Sequence, residues 1–138
     1  MAITTGLCFS FKEELFKAIH DFSTDTFKAA LYTSAANIGP TTTVYTTANE
    51  LPTGGGYTAG GLVLTGATVN LAFGTAFVDF ANAVWPSTNF TVNGALVYNA
   101  SKANRAVFVY NFGSVTTSSA NFVLQFPENT YNQAIIRI

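Results

Sequence analysis

Charge is what this sequence has least of. Asp, Glu, Lys and Arg together make up 9% of its 138 residues, against roughly a quarter in ordinary soluble domains. The net charge is −1, with no run of basic residues, so the electrostatic footprint of a nucleic-acid binder is missing. No apolar stretch approaches the ~20 residues that a membrane-spanning helix needs. A single cysteine, Cys8, excludes an internal disulfide. The opening "MAITTGLCFSFKEEL" has neither a basic region nor a long apolar segment, so the expectation is synthesis and folding in a reducing cytosol. The sequon Asn89-Phe90-Thr91 is then read as coincidence rather than a glycosylation site.

What is abundant is apolar and neutral-polar. Hydrophobic residues make up 49% and aromatics 14%, enough for one domain spanning 1–138 with a real core. Thr, Asn, Ser and Gly supply most of the polarity. A surface so poor in charge has little to repel neighbouring copies, which points to a chain that works packed against other subunits.

One helix is expected. In "SFKEELFKAIHDF", Ser10 and Glu13 match a capping box, while Phe11, Leu15, Ile19 and Phe22 recur at helical spacing. The pattern predicts a short amphipathic helix over about 11–21, with Lys12, Glu13, Glu14 and Lys17 on its polar side. Strand patterns follow from about Thr26: "TFKAALYT", a short "TTVYTT", "LVLTGATVNL", "TAFVDFANAVW", "RAVFVYNF", "NFVLQF" and "NQAIIRI". Asn93-Gly94 has hairpin-turn chemistry. Yet apolar residues alternate through it, and splitting there leaves strands of about four residues. The prediction is therefore one strand from about Thr88 to Tyr98, with Gly94 at a bulge or close backbone approach. The fold class expected is all-β, mainly an antiparallel sandwich of jelly-roll-like kind with one short N-terminal helix, a barrel-like closure being left open.

The residues that carry chemistry are few. His20, Asp21 and Asp25 are the one cluster with metal or acid/base character, a thin ligand set. They suit a helix end followed by a turn instead. No carboxylate spacing suggests a paired-carboxylate hydrolase, and no nucleophile elbow accompanies the many Ser and Thr. Cys8, between Leu7 and Phe9, reads as a small apolar core residue. The run "PTGGGYTAGG" lacks the Gly-Lys-Ser/Thr of a phosphate loop and is not followed by a helix. No catalytic, cofactor-binding or metal residue is assigned. Trp85, before Pro86, suits core packing more than partner anchoring. Tyr45, Tyr57 and Trp85 are kept as possible subunit or partner contacts.

Read in order, "HDFSTDTFKAALYTSAA", "TTVYTTANELPTGGGYTAGG", "FVDFANAVWPSTNFTVNGALVYN" and "AVFVYNFGSVTTSSANFVLQFP" resemble a family of small structural proteins of tailed bacteriophages. The positions that carry the resemblance are Asp25–Lys28, Asn49-Glu50, Tyr57–Gly61, Trp85, Tyr98-Asn99 and Asn111–Gly113. Asn93 departs from it, standing where a larger or basic residue is common. The resemblance implies a virion component and not an enzyme, made in the host bacterial cytoplasm. The favoured expectation is a capsid cement or decoration protein on the outer head surface, bound to the major capsid protein and to copies of itself. Nucleic acid, membrane and small-molecule substrate are not expected as partners. The alternative is a tail component (tip, adaptor or fibre attachment) that recognises the host through exposed aromatics. An envelope hydrolase is the third class, disfavoured because no acid/base pair is visible.

Overall fold

Antiparallel pairing accounts for every ladder between the strands of this chain. The computed structural model describes residues 2–138. The elements are β1 (Gly6–Leu7), α1 (Phe9–Phe16), β2 (Phe27–Tyr32), β3 (Leu62–Val63), β4 (Thr68–Ala72), β5 (Thr75–Asp79), β6 (Ala83–Thr88), β7 (Thr91–Asn99), β8 (Arg105–Thr116), β9 (Ala120–Leu124) and β10 (Ile136–Arg137). They form three sheets, ordered β1-β8-β7-β2-β3, β10-β5-β4 and β6-β9. The protein is therefore all-β with a single short helix, as its strand patterns predict.

The helix is shorter than expected and shifted. It begins at Phe9, with Cys8 as N-cap and no side-chain cap. Backbone carbonyls replace the cap: Cys8 N–H donates to Val107 O at 2.9 Å and Phe9 N–H to Pro40 O at 2.8 Å. The anticipated Ser10–Glu13 box does not form. Ser10 Oγ is buried with no partner among the described residues, and Glu13 pairs with Lys17 one turn on. The helix stops at a Schellman-type turn in which Ala18 takes φ 56°. Ile19 N–H reaches Glu14 O at 3.1 Å and Ala18 N–H reaches Leu15 O at 3.2 Å, which satisfies the last carbonyls. Leaving the helix at Ala18 turns His20 into the interior, where it is buried.

β7 lies at the centre of the large sheet, between β2 and β8. The Asn93-Gly94 pair lies inside this strand and makes no reversal. Its register against β8 shifts between Val92 and Gly94. A Cβ at Gly94 would stand 2.6 Å from Tyr110 O and 2.8 Å from Ile3 side-chain atoms. The expected bulge and close approach are both present. The strand starts at Thr91 rather than Thr88, however, because Thr88 closes β6. Asn89 and Phe90 make the corner, their amides donating to Gly55 O at 2.9 Å and Thr117 Oγ1 at 3.2 Å.

Two expected strands are each divided. "LVLTGATVNL" becomes β3 and β4, and "TAFVDFANAVW" becomes β5 and β6. Side-chain acceptors hold the second break: Asp79 takes the amides of Phe80 at 2.9 Å and Ile135 at 3.2 Å. "TTVYTT" contributes only an isolated bridge, Val44 to Arg105. One continuous apolar cluster joins the sheets. Phe22 stacks on Phe27 at 4.5 Å, Phe80 packs on both and on Phe126, and Trp85 packs on Phe122.

Candidate functional site

Three features stand out from the residues upward: two partly buried polar networks and one apolar face on the surface.

The first network centres on His20, whose side chain has no exposed surface. Its Nε2 lies 2.8 Å from Glu14 Oε1, and Arg105 Nη1 donates to Glu14 Oε2 at 2.9 Å. Its Nδ1 lies 3.0 Å from Asn99 Nδ2. Asn99 Oδ1 accepts from Ser101 N–H at 3.0 Å, which fixes the amide orientation and leaves Nδ2 as donor. Nδ1 must then accept, so the imidazole proton is on Nε2 and points at Glu14. The second Nδ2 hydrogen goes to Asp25 Oδ2 at 2.8 Å. Lys102 Nζ reaches both Asp25 oxygens at 3.0 Å and Ile19 O at 3.0 Å. Burial alone would raise the Asp25 carboxyl. The hydrogen bonds from Asn99, Asp21 N–H and Lys102, with the lysine charge, outweigh it and hold the group below the usual carboxylate range.

This chain ties the end of α1 to the start of β2 and to the connection between β7 and β8. Every polar atom of the ring is occupied, and His20 lines none of the surface depressions described below. The arrangement is a structural clasp: Asp21 and Asp25 share the expected turn, whereas His20, expected at the helix end, is drawn inside between Glu14 and Asn99. The Asp21 carboxylate stays outside it, accepting from Ser23 N–H at 2.9 Å in a local turn. Among the described residues no group of three or more His, Cys, Asp or Glu could hold a metal ion. Glu14, Asn99, Lys102 and Arg105 belong to the clasp but escaped the sequence reading. Glu14 sits at a position that periodicity assigns to solvent, and the other three lie more than seventy residues beyond their partners.

Glu50 is the hub of the second network. Tyr45 Oη donates to Glu50 Oε1 at 2.5 Å. Tyr57 Oη donates to Oε2, which also takes Gly60 N–H at 2.7 Å. Tyr57 Oη itself accepts from Leu31 N–H at 3.1 Å, and Tyr98 Oη donates to Gly60 O. Tyr45 stacks on Tyr98 at 4.6 Å. The glycine-rich run is thus fastened along the edge of β2. At Gly61, with φ +91°, a Cβ would collide with Ala29 O at 2.2 Å, so the loop can lie against the strand only with glycine there. Desolvation, followed by the bond to Glu50, pushes the phenols of Tyr57 and Tyr45 well above their usual range.

These positions correct the expected contact residues. Tyr57 and Trp85 are buried at 2% and 3% exposure and serve the core, so neither presents a surface to a partner. Tyr45 is half-buried, and its hydroxyl is spent on Glu50. Cys8 is fully buried. Desolvation, and secondarily the Glu14 charge, push its thiol up to about 12, which suits an inert core residue.

The surface feature lies on the small three-stranded sheet, β10-β5-β4. Val69 and Leu71 of β4 share a face with Ala76 and Val78 of β5 and with Ile136 of β10. Two apolar depressions of about 120 and 220 Å³ run along it, sharing Leu15, Ile136 and Ile138 and ending at Val69 and Phe16. Phe16 is 90% exposed, Leu71 76% and Ile138 68%. At the β4–β5 turn, Phe73 is 86% exposed and touches Tyr131 at 4.8 Å. A third apolar depression, of about 420 Å³, lies apart from this face between Tyr110, Phe112, Val115 and β9. Sequence reasoning missed this face, because each of its residues reads as ordinary strand or helix core.

The fold and these features define an all-β antiparallel protein with a clasped interior and an uncovered apolar face. Comparisons with protein-family models, curated proteins and solved structures give no match.

Proposed function

We propose that this protein is a structural component of a tailed-bacteriophage particle, most fittingly a cement protein that stabilises the head lattice through contacts with the major capsid protein and with its own copies. The observation that carries the reading is the apolar face from Phe16 through Ile138 to Leu71, on a chain with 9% charged residues. A contiguous patch of this kind marks an interaction surface. Low charge removes the repulsion that would keep subunits apart. The ordered segments that resemble the phage family add their support. Several of their positions, among them Asp25, Glu50, Tyr57 and Asn99, do structural work in the two networks, as befits a scaffold.

A ligand that binds only the assembled lattice shifts the equilibrium toward assembly by mass action, and many modest interfaces repeated by symmetry suffice. The test is the heat tolerance of particles made without the protein. They should release their contents at lower temperature and recover when purified protein is added back. Particles of unchanged tolerance would overturn the cement role.

A further inference from the structure

The edge of the small sheet says more than its face. Among the described residues β4 has one hydrogen-bonded neighbour, β5, and no strand pairs with its other side. A two-residue turn joins them, with Phe73 at φ 51° and Gly74 at φ 78°, the left-handed pair of a type I′ hairpin. In such a hairpin the residues closing the turn, here Ala72 and Thr75, exchange hydrogen bonds. By alternation Asn70 and Thr68 also bond inward. Ala76 confirms the phase: its amide goes to Ile138 O at 2.9 Å, on the far side of β5, so it is not given to Leu71, its partner in register. The N–H and C=O of Val69 and Leu71 therefore point out of the sheet edge.

Folded proteins guard such edges with lysine, proline, bulges or a covering element. This edge has none of them. The β4–β5 register runs without a shift. From residue 51 to residue 78 the sequence contains no Asp, Glu, Lys, Arg or His. The side chains flanking the open amides, Val69 and Leu71, are 60% and 76% exposed.

We propose that β4 pairs with β4 of a second copy, antiparallel about a two-fold axis through Asn70. In that register Val69 faces Leu71 of the other copy and Leu71 faces its Val69. All four outward-pointing backbone groups of each strand are then satisfied, in two hydrogen-bonded pairs flanking a non-hydrogen-bonded one. The two three-stranded sheets join into six strands, and the Val and Leu side chains form cross-strand apolar pairs. Electrostatics match the edge to itself: a neutral strand meets a neutral strand, whereas a charged edge would have to bury its charge unpaired. The contact is isologous and closes at two copies. It deepens the assembly reading above but concerns the isolated protein, so it can fail while the particle assignment stands, and the reverse.

The test uses the full chain carrying Asn70→Cys. The sole native thiol, Cys8, is buried and does not compete. Across the axis the two residues at 70 form a non-hydrogen-bonded pair with Cα atoms about 4.5 Å apart, within the range of a disulfide. Mild oxidation should convert Asn70→Cys to a covalent dimer. Ala72→Cys should form no covalent dimer under the same treatment, since its two copies lie about 13 Å apart along the strands. In sedimentation the unmodified protein should be a dimer at about 100 µM, and Leu71→Lys a monomer; an unchanged far-ultraviolet spectrum shows that the variant is folded. An unmodified protein that is monomeric, a Leu71→Lys dimer, or cross-linking by Ala72→Cys would each overturn the pairing. An Asn70→Cys variant that forms no covalent dimer on oxidation would overturn it as well.

Discussion

Asn99 offers a single amide group to two acceptors, His20 Nδ1 and the Asp25 carboxylate. Nothing else in the clasp can replace it at the ring nitrogen. Asn99→Ala should therefore cost about 1–3 kcal/mol, the loss of two hydrogen bonds that leaves the buried His20 Nδ1 without a partner. Urea unfolding followed by Trp85 fluorescence measures this, and a loss under about 0.5 kcal/mol would remove the clasp from the account. Asp25 supplies a second, pH-dependent prediction. Its carboxyl is held below its ordinary value when folded. Its contribution is thus fully present above the unfolded value of about 4 and disappears as pH falls through the lower folded value. The difference in stability between the native protein and Asp25→Asn should be widest near neutrality and should close in acid. A gap that stays constant down to about pH 2 would contradict the assignment. Asp79 moves in the opposite sense: its desolvation outweighs the amides of Phe80 and Ile135 and raises it, so neutralising this one group in acid favours the folded state.

At the scale of elements, β7 depends on a missing side chain. With Tyr110 O and Ile3 already within 2.8 Å of where a Cβ would stand, Gly94→Ala must push a backbone or a core residue aside, at about 1–3 kcal/mol. Thermal unfolding checks this, and an unshifted midpoint would mean that the bulge relaxes freely. This strand was also the most legible element in the sequence, because strict alternation through Asn93-Gly94 outweighed the turn chemistry of that dipeptide. Other boundaries were less legible. The helical period of Phe11, Leu15, Ile19 and Phe22 continues past the point where the backbone turns at Ala18, so the pattern overran the helix. β4 and β5 merged with their neighbours because apolar residues continue across the breaks. What ends β5 is a carboxylate capturing the amide of Ile135, fifty-six residues away. The clasp was hidden for the same reason: a bond between residues 20 and 99 leaves no periodic trace. His20 and Asp25 were visible as chemistry, but their partners were not.

For the whole molecule, the sequence property that mattered most was the poverty of charge. It leads to the expectation of a chain packed against other subunits, without saying through which surface. The structure shows an exposed apolar face on the three-stranded sheet and at the end of α1, and it buries Tyr57 and Trp85. Phe16→Ser, at a side chain 90% exposed, should leave the melting temperature of the isolated protein within a degree or two, since little burial is lost. The same variant should weaken retention on particles, measured by co-sedimentation. Equal retention would place the partner surface elsewhere. The central claim, that this is a repeated building part of a particle, is tested most directly by imaging intact particles with the protein labelled and counting its copies. Hundreds of copies arrayed over the outer head surface are predicted; a few copies confined to the tail, or none on the particle, would contradict the account.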